Sequence, residues 1–419
     1  MACAADPKAP GDSTRTAAVT PGGFPRVPLI LRAAAKQDFG HTVIPLDGSR
    51  ASRKGLEFMG RVSAFAGWRK SGLLVFALAT VAVLAASPAA AQNPKTYVIT
   101  PLVTNIGPPG PGVDARLVNA WGLVSGQGTP WWVSDNGADF STLYRADGTK
   151  VNLNVTVGGG PTGILFNPSS TSFPVGTGSN PGARFIFATE SGTIAGWRPA
   201  LGTASQVAVD SSATGAVYKG LAIATTATGP QLYATDFHNA RVDVFDQTWA
   251  AVQTTGGFVD SGIPAGYAPF GIQTNDSRIF VTFAKQQAGS NDELHGQGLG
   301  FVDVFDPDGN LLARVAQHGQ LNAPWGLAMA PATFGAFGGD LLVGNFGDGH
   351  VSAFQEQPDG TWELVGLLRT ADGKKLAIDG LWALEFGHGT PANGPLDTLF
   401  FTAGPNDESD GLFGTITAA

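Results

Sequence analysis

The sequence predicts an all-β fold: a six-bladed β-propeller whose ring is closed by an N-terminal strand in the last blade. Three observations carry this expectation. The chain holds 58 Gly and 28 Pro in 419 residues with only 14% charged residues, a composition suited to many short strands and tight turns. Beyond Gln92 no long amphipathic segment of 3.6-residue period appears. Finally, one small unit recurs: a Gly-Leu or Gly-Ile step, an apolar strand ending near Asp or Asn, then a third strand. Its glycines lie 41 to 57 residues apart, which suits four-stranded blades around a channel.

Taken in order, residues 1–58 keep no strand or helix pattern and read as a start-site miscall ahead of Met59, or as a disordered extension. Residues 59–91 read as a secretory signal peptide. Arg69 and Lys70 precede the apolar run Gly72–Ala86, and Ala89 and Ala91 stand at the small-residue cleavage positions. The run is about 15 residues, short of the roughly 20 a membrane span needs, so the expectation is export to the periplasm or beyond after cleavage at Ala91. Residues 92–419 form the propeller domain. The one cysteine, Cys3, lies upstream, leaving the exported portion without thiolate or disulfide. That portion carries 14 Lys and Arg against 28 Asp and Glu, a net −14 with no clustered cations. Nucleic acid and anionic membrane are thereby excluded as partners.

The six Gly-apolar steps are Ala120-Trp-Gly-Leu123, Pro161-Thr-Gly-Ile164, Tyr218-Lys-Gly-Leu221, Pro269-Phe-Gly-Ile272, Pro324-Trp-Gly-Leu327 and Asp379-Gly-Leu381. Second strands follow at Trp131, Phe185, Leu232, Ile279, Leu341 and Thr398, and third strands at Thr142, Thr193, Val242, Phe301, His350 and Leu412. The sixth repeat stops after its third strand, and Thr96–Val103 is an apolar run with no partner of its own. It is therefore assigned as the outermost strand of the last blade, which removes the exposed edges at the seam.

The run Tyr233–Phe245, with Ala-Thr-Asp followed by Asn239-Ala-Arg-Val-Asp-Val-Phe245, resembles the NHL-type propeller repeat. Together with Leu117–Leu123, Trp132–Gly137, Pro161–Ile164 and Gly300–Phe305, it resembles an uncharacterised family of exported bacterial proteins. The resemblance implies a six-bladed propeller and no activity.

In antiparallel blades the entry to the inner strand and the turn after the second strand share one end, here called the top face. Candidate ligand-binding residues there are Asn119, Trp121, Asp135, Asn136, Asp236, His238, Asn322, Trp325, Asn345, Asp348 and Asp379. Lys219, Phe270, Glu190, Asn239, Asn406 and Asp407 fall on the same face. The polar insertion Lys285–Gly300 of blade four adds Lys285, Asp292, Glu293 and His295, and its length beyond a tight turn marks it as a lid or partner loop. Asp and Asn also cap turns, and Trp also packs blades, so each has a structural alternative. Oxygen ligands at the channel mouth would suit Ca²⁺. Six-bladed lactonases and esterases use such an axial ion, but their first-blade Glu is replaced here by Trp121, flanked by Asn119 and Ala120. No histidine pair has zinc spacing and no G-x-S-x-G elbow occurs after residue 91. The expectation is a monomeric, non-catalytic scaffold without a cofactor, binding an extracellular or periplasmic protein, small molecule or polymer. A metal-assisted hydrolase of lactones or esters is the alternative.

Overall fold

The computed structural model describes residues 95–107 and 112–419; the expectations for residues 1–91 fall outside them. Six four-stranded antiparallel sheets make up the fold, with strands in chain order from channel to rim in five blades. The inner strands are Ala120–Val124, Pro161–Phe166, Tyr218–Thr226, Tyr267–Asn275, Pro324–Met329 and Leu381–Phe386. The second strands are Trp131–Asp135, Phe185–Thr189, Gly229–Asp236, Arg278–Lys285, Leu341–Asn345 and Leu399–Ala403.

The sixth blade joins both ends of the domain. Its outermost strand, Tyr97–Thr104, pairs antiparallel with Leu412–Ala418, Tyr97 opposite Ala418 and Thr104 opposite Leu412. Tyr97 is buried at this seam, stacked on Phe337 and packed at 5.0 Å against Phe334 of the preceding blade. The expected closure is thus present, down to the strand that performs it.

Glycine in the recurring step has a steric reason. Each inner strand has an irregular register with its neighbour at this point, and each glycine lies against the next blade's inner strand. A Cβ at Gly122 would sit 2.3 Å from the Thr162 carbonyl oxygen, and one at Gly271 2.0 Å from that of Trp325. The backbones meet too closely for any side chain. Hydrogen bonds use the same proximity: Gly220 N–H donates to Thr235 Oγ1 at 2.8 Å, and that hydroxyl donates to Phe270 O of blade four at 2.7 Å. Blade six repeats the relay, with Ala383 N–H donating to Thr402 Oγ1 at 3.2 Å and Thr402 to Trp121 O of blade one.

This relay corrects the sixth repeat. Its register irregularity lies between Leu381 and Leu384, so the equivalent of Trp121-Gly-Leu123 is Trp382-Ala-Leu384 rather than the step at Gly380. Gly380 is a turn glycine with φ of +62°. Blade six tolerates Ala383 at the waist position, and the decoy glycine just upstream hid the register.

The cores lie between blades. Ile186, Ala188 and Ile194 of blade two pack on Leu221, Leu232 and Phe245 of blade three, and equivalent clusters follow around the ring. Gly271→Ala is expected to lower stability by about 1–3 kcal/mol, the usual cost of overpacking. Gly128→Ala, which has nothing within 4 Å of the added carbon, is the control. Urea unfolding of both variants measures the difference.

Candidate functional site

The residue before the waist glycine points into the top of the channel in each blade. These six are Trp121, Thr162, Lys219, Phe270, Trp325 and Trp382. The aromatic members, joined by Phe346 and Phe237 from the turns after the second strands, close the top of the channel. Trp382 stacks on Trp121 at 3.6 Å between ring centres and on Phe346 at 3.8 Å, with Phe270 edge-on to Trp382 at 6.0 Å. Trp325 stands edge-on to both stacked indoles. Each aromatic pair adds roughly 0.5–1.5 kcal/mol beyond the area it buries.

Lys219 is the one ionisable member of this ring. Its side chain is 1% exposed and its ammonium lies 4.8 Å from the Trp121 ring centre. Nζ donates to Glu190 Oε1 at 2.6 Å. An ammonium has three donors, and among the described residues this is the one acceptor it reaches. Burial alone would lower its pKa, but Glu190, with Glu293 behind it, outweighs burial and holds the pKa above its ordinary value.

Three glutamates come from three blades. Glu190 follows the second strand of blade two and also accepts from Asn136 Nδ2 at 2.9 Å. Glu293 comes from the blade-four insertion and is buried. Glu408 comes from a blade-six turn in which Asn406, Asp407 and Glu408 all have left-handed φ, of 58°, 49° and 63°. Such a run is costly for non-glycine residues. It delivers Glu408 Oε2 to Asn119 Nδ2 at 2.5 Å. Asn119 in turn accepts from Trp382 Nε1 at 2.9 Å and donates to Asn136 Oδ1 at 3.2 Å, tying cluster to plug. Burial, reinforced by Glu293, pushes Glu408 up to about 7 despite the opposing pull of Lys219.

The blade-four insertion is docked over this face. Gln286 Nε2 donates to Phe237 O at 2.7 Å, His238 and Asn291 meet at 3.2 Å, and Gly296 N–H donates to Asn322 Oδ1 at 2.7 Å. His295 stands edge-on to Phe346 at 5.0 Å and 3.6 Å from Glu293, which raises the imidazole pKa.

Of the residues expected on this face from sequence, Asn119, Trp121, Asn136, Glu190, Lys219, Phe270, Glu293, His295 and Trp325 meet at this centre. His238 and Asn322 anchor the loop that covers it. The others serve turns. Asp236 is buried and accepts from the Val217 and Asn239 amides and from Asn239 Nδ2. Asn345 donates to Gln320 O and Asp348, while Asp348 accepts from His350 N–H and Asp379 from Asn406 N–H. Asp135 is fully buried, accepts from Thr142 at 3.2 Å, and burial raises its pKa well above the carboxylate range. Lys285 lies over Tyr267 at 5.2 Å, and Asp292 is exposed and bonded to Ser290 within its own turn. Glu408, Phe346 and Trp382 were not singled out by sequence; the misplaced sixth repeat concealed Trp382. Among the described residues, no three His, Asp or Glu side chains gather as a metal-holding group.

A carboxyl near 7 in the fold and near 4.5 when unfolded keeps its proton longer in the folded state. Its contribution to stability is full below pH 4.5 and is lost as pH rises through 7. Asp303, raised by burial to about 7 beside Arg314, acts in the same direction. The urea midpoint is expected to fall between pH 5 and pH 8, and Glu408→Gln to remove part of that fall while the Asp303 part remains.

No protein-family model matches the chain. The uncharacterized protein L690 of Acanthamoeba polyphaga mimivirus is 30% identical over 338 residues, spanning 77% of this chain and 86% of that protein. Uncharacterized protein R648 of the same virus is 29% identical over 334 residues, 77% of this chain and 80% of that one. A solved structure of a structural genomics protein of unknown function from Bacteroides thetaiotaomicron superposes with a TM-score of 0.51 at 12% identity, covering 77% of this chain and 76% of that chain. At that identity the likeness concerns the fold alone. The relatives named here are viral, so the resemblance to exported bacterial proteins finds no support in them, while the six-bladed propeller it implied is present.

Proposed function

The chain belongs to the same family as the mimivirus protein L690, and from that premise we propose that its top face binds a partner protein through a cationic side chain. The observation that carries this reading is the Lys219 centre: a buried ammonium bonded to Glu190, with Glu293 and Glu408 coupled electrostatically to the same centre from two further blades. With Glu408 ionised, the three carboxylates outnumber the Lys219 ammonium and the His295 imidazolium, and a lysine or arginine from a partner would offset the remaining negative charge. The aromatic plug supports a protein partner over a deeply seated small molecule, because it closes the channel beneath the cluster and leaves a surface. The net −14 of residues 92–419 adds long-range attraction for a basic segment. The proposal includes export and an NHL-like repeat, which rest on Gly72–Ala91 and on Tyr233–Phe245.

Tetralysine and tetraglutamate serve as probes, with Trp121, Trp325 and Trp382 beneath the cluster as fluorescent reporters. Tetralysine is expected to bind and tetraglutamate not. The Glu190→Gln/Glu408→Gln double variant should weaken tetralysine at least tenfold, while Glu363→Gln on an outer strand leaves it unchanged. Because Glu408 must give up its proton to face a cation, affinity should rise from pH 6 to pH 8. Equal binding of both peptides, or no loss in the double variant, overturns the reading.

A further inference from the structure

We propose that the channel on the far side of the aromatic plug is a second, separate binding site, one that takes an amphipathic small molecule with an apolar body and a hydrogen-bonding head. A cavity of about 520 Å³ occupies this part of the channel. Its wall includes the aliphatic residue after the waist position in every blade: Leu123, Ile164, Leu221, Ile272, Leu327 and Leu384. Trp325 is shared between this wall and the plug, so the plug separates the cavity from the carboxylate cluster. The volume falls within the range usual for small-molecule sites, and the wall combines apolar side chains with polar groups.

The polar groups gather at the opposite end, where the inner strands finish. Glu385 and His388 meet there at 3.3 Å. Ser125 is 4% exposed and lines the cavity, yet its hydroxyl has no hydrogen-bond partner among the described residues. The buried Thr274 hydroxyl on the same lining is likewise unpaired. The aliphatic wall and the Glu385–His388 pair at its end together match a molecule with an apolar body and a polar head. The dyad suits the head. Burial raises the Glu385 pKa, and Glu385 raises that of His388, so the pair offers an acceptor and a donor side by side.

The probe is N-phenyl-1-naphthylamine, a neutral fluorophore with an apolar body and one N–H donor. Saturable fluorescence enhancement is expected with the full chain. Filling the cavity by Val124→Trp, or narrowing its mouth by Thr274→Trp, should weaken binding at least tenfold. The Glu190→Gln/Glu408→Gln variant, altered on the other side of the plug, should leave it unchanged. Circular dichroism melts check folding, and if one filled variant unfolds the other decides. Absence of saturable enhancement, or undiminished binding in a folded filled variant, overturns the proposal. Loss of probe binding in the Glu190/Glu408 variant would also overturn it, since the two sites would then not be separate.

Discussion

Everything in this protein depends on how closely six strands approach one another at the waist of a ring. Where a Cβ would stand 2.0–2.9 Å from a neighbour's backbone, only glycine fits, and five of the six waist positions hold it. That constraint does more than select a residue. It draws the inner strands together until the side chains on either side of the waist share a narrow axis. Above it, Trp121, Trp382 and Phe346 stack, with Trp325 and Phe270 edge-on to them. Below it, six aliphatic side chains surround an opening. The two halves of the channel are therefore different environments made by one packing rule.

The electrostatics follow from the same crowding. A lysine at one of six otherwise uncharged waist-side positions has no route to solvent except along the axis, and it is held by aromatic faces from beneath. Desolvation of an ammonium is costly unless charge of opposite sign lies close. Here that charge comes from separate blades, through a second-strand turn, a docked insertion and a left-handed turn. Its supply is distributed around the ring, and the network links elements far apart in sequence.

Much of this was legible in the residues and some was not. Recurrence of a glycine-apolar step is a local signal with a steric cause, so blade number, strand order and seam could be read directly. The sixth unit misled because Ala383 stands where glycine is usual and Gly380 offers a false match three residues earlier. Asp and Asn at the turns were legible as top-face residues, but their partners were not. Asp236 and Asn345 spend their oxygens on neighbouring backbone, whereas Asn119 reaches into the adjacent sixth blade, to Glu408 and Trp382. That difference rests on contacts spanning nearly three hundred residues, and no local pattern encodes them. Glu408 in particular is presented by a backbone conformation that its sequence does not announce.

The union of Tyr97–Thr104 with Leu412–Ala418 has a consequence for how the molecule comes into being. Synthesis proceeds from the N-terminal side, so Tyr97–Thr104 must wait, unpaired, for Leu412–Ala418. Blades one to five can each assemble from neighbouring segments, but the circle stays open until Leu412–Ala418 emerges. Long-range pairing of this kind is slow because its loop entropy is lost before its contacts form. During that interval the waiting strand offers bare amides and carbonyls to any other chain nearby. The stitch that makes the finished ring durable is therefore the point at which a half-made one is most vulnerable to aggregation.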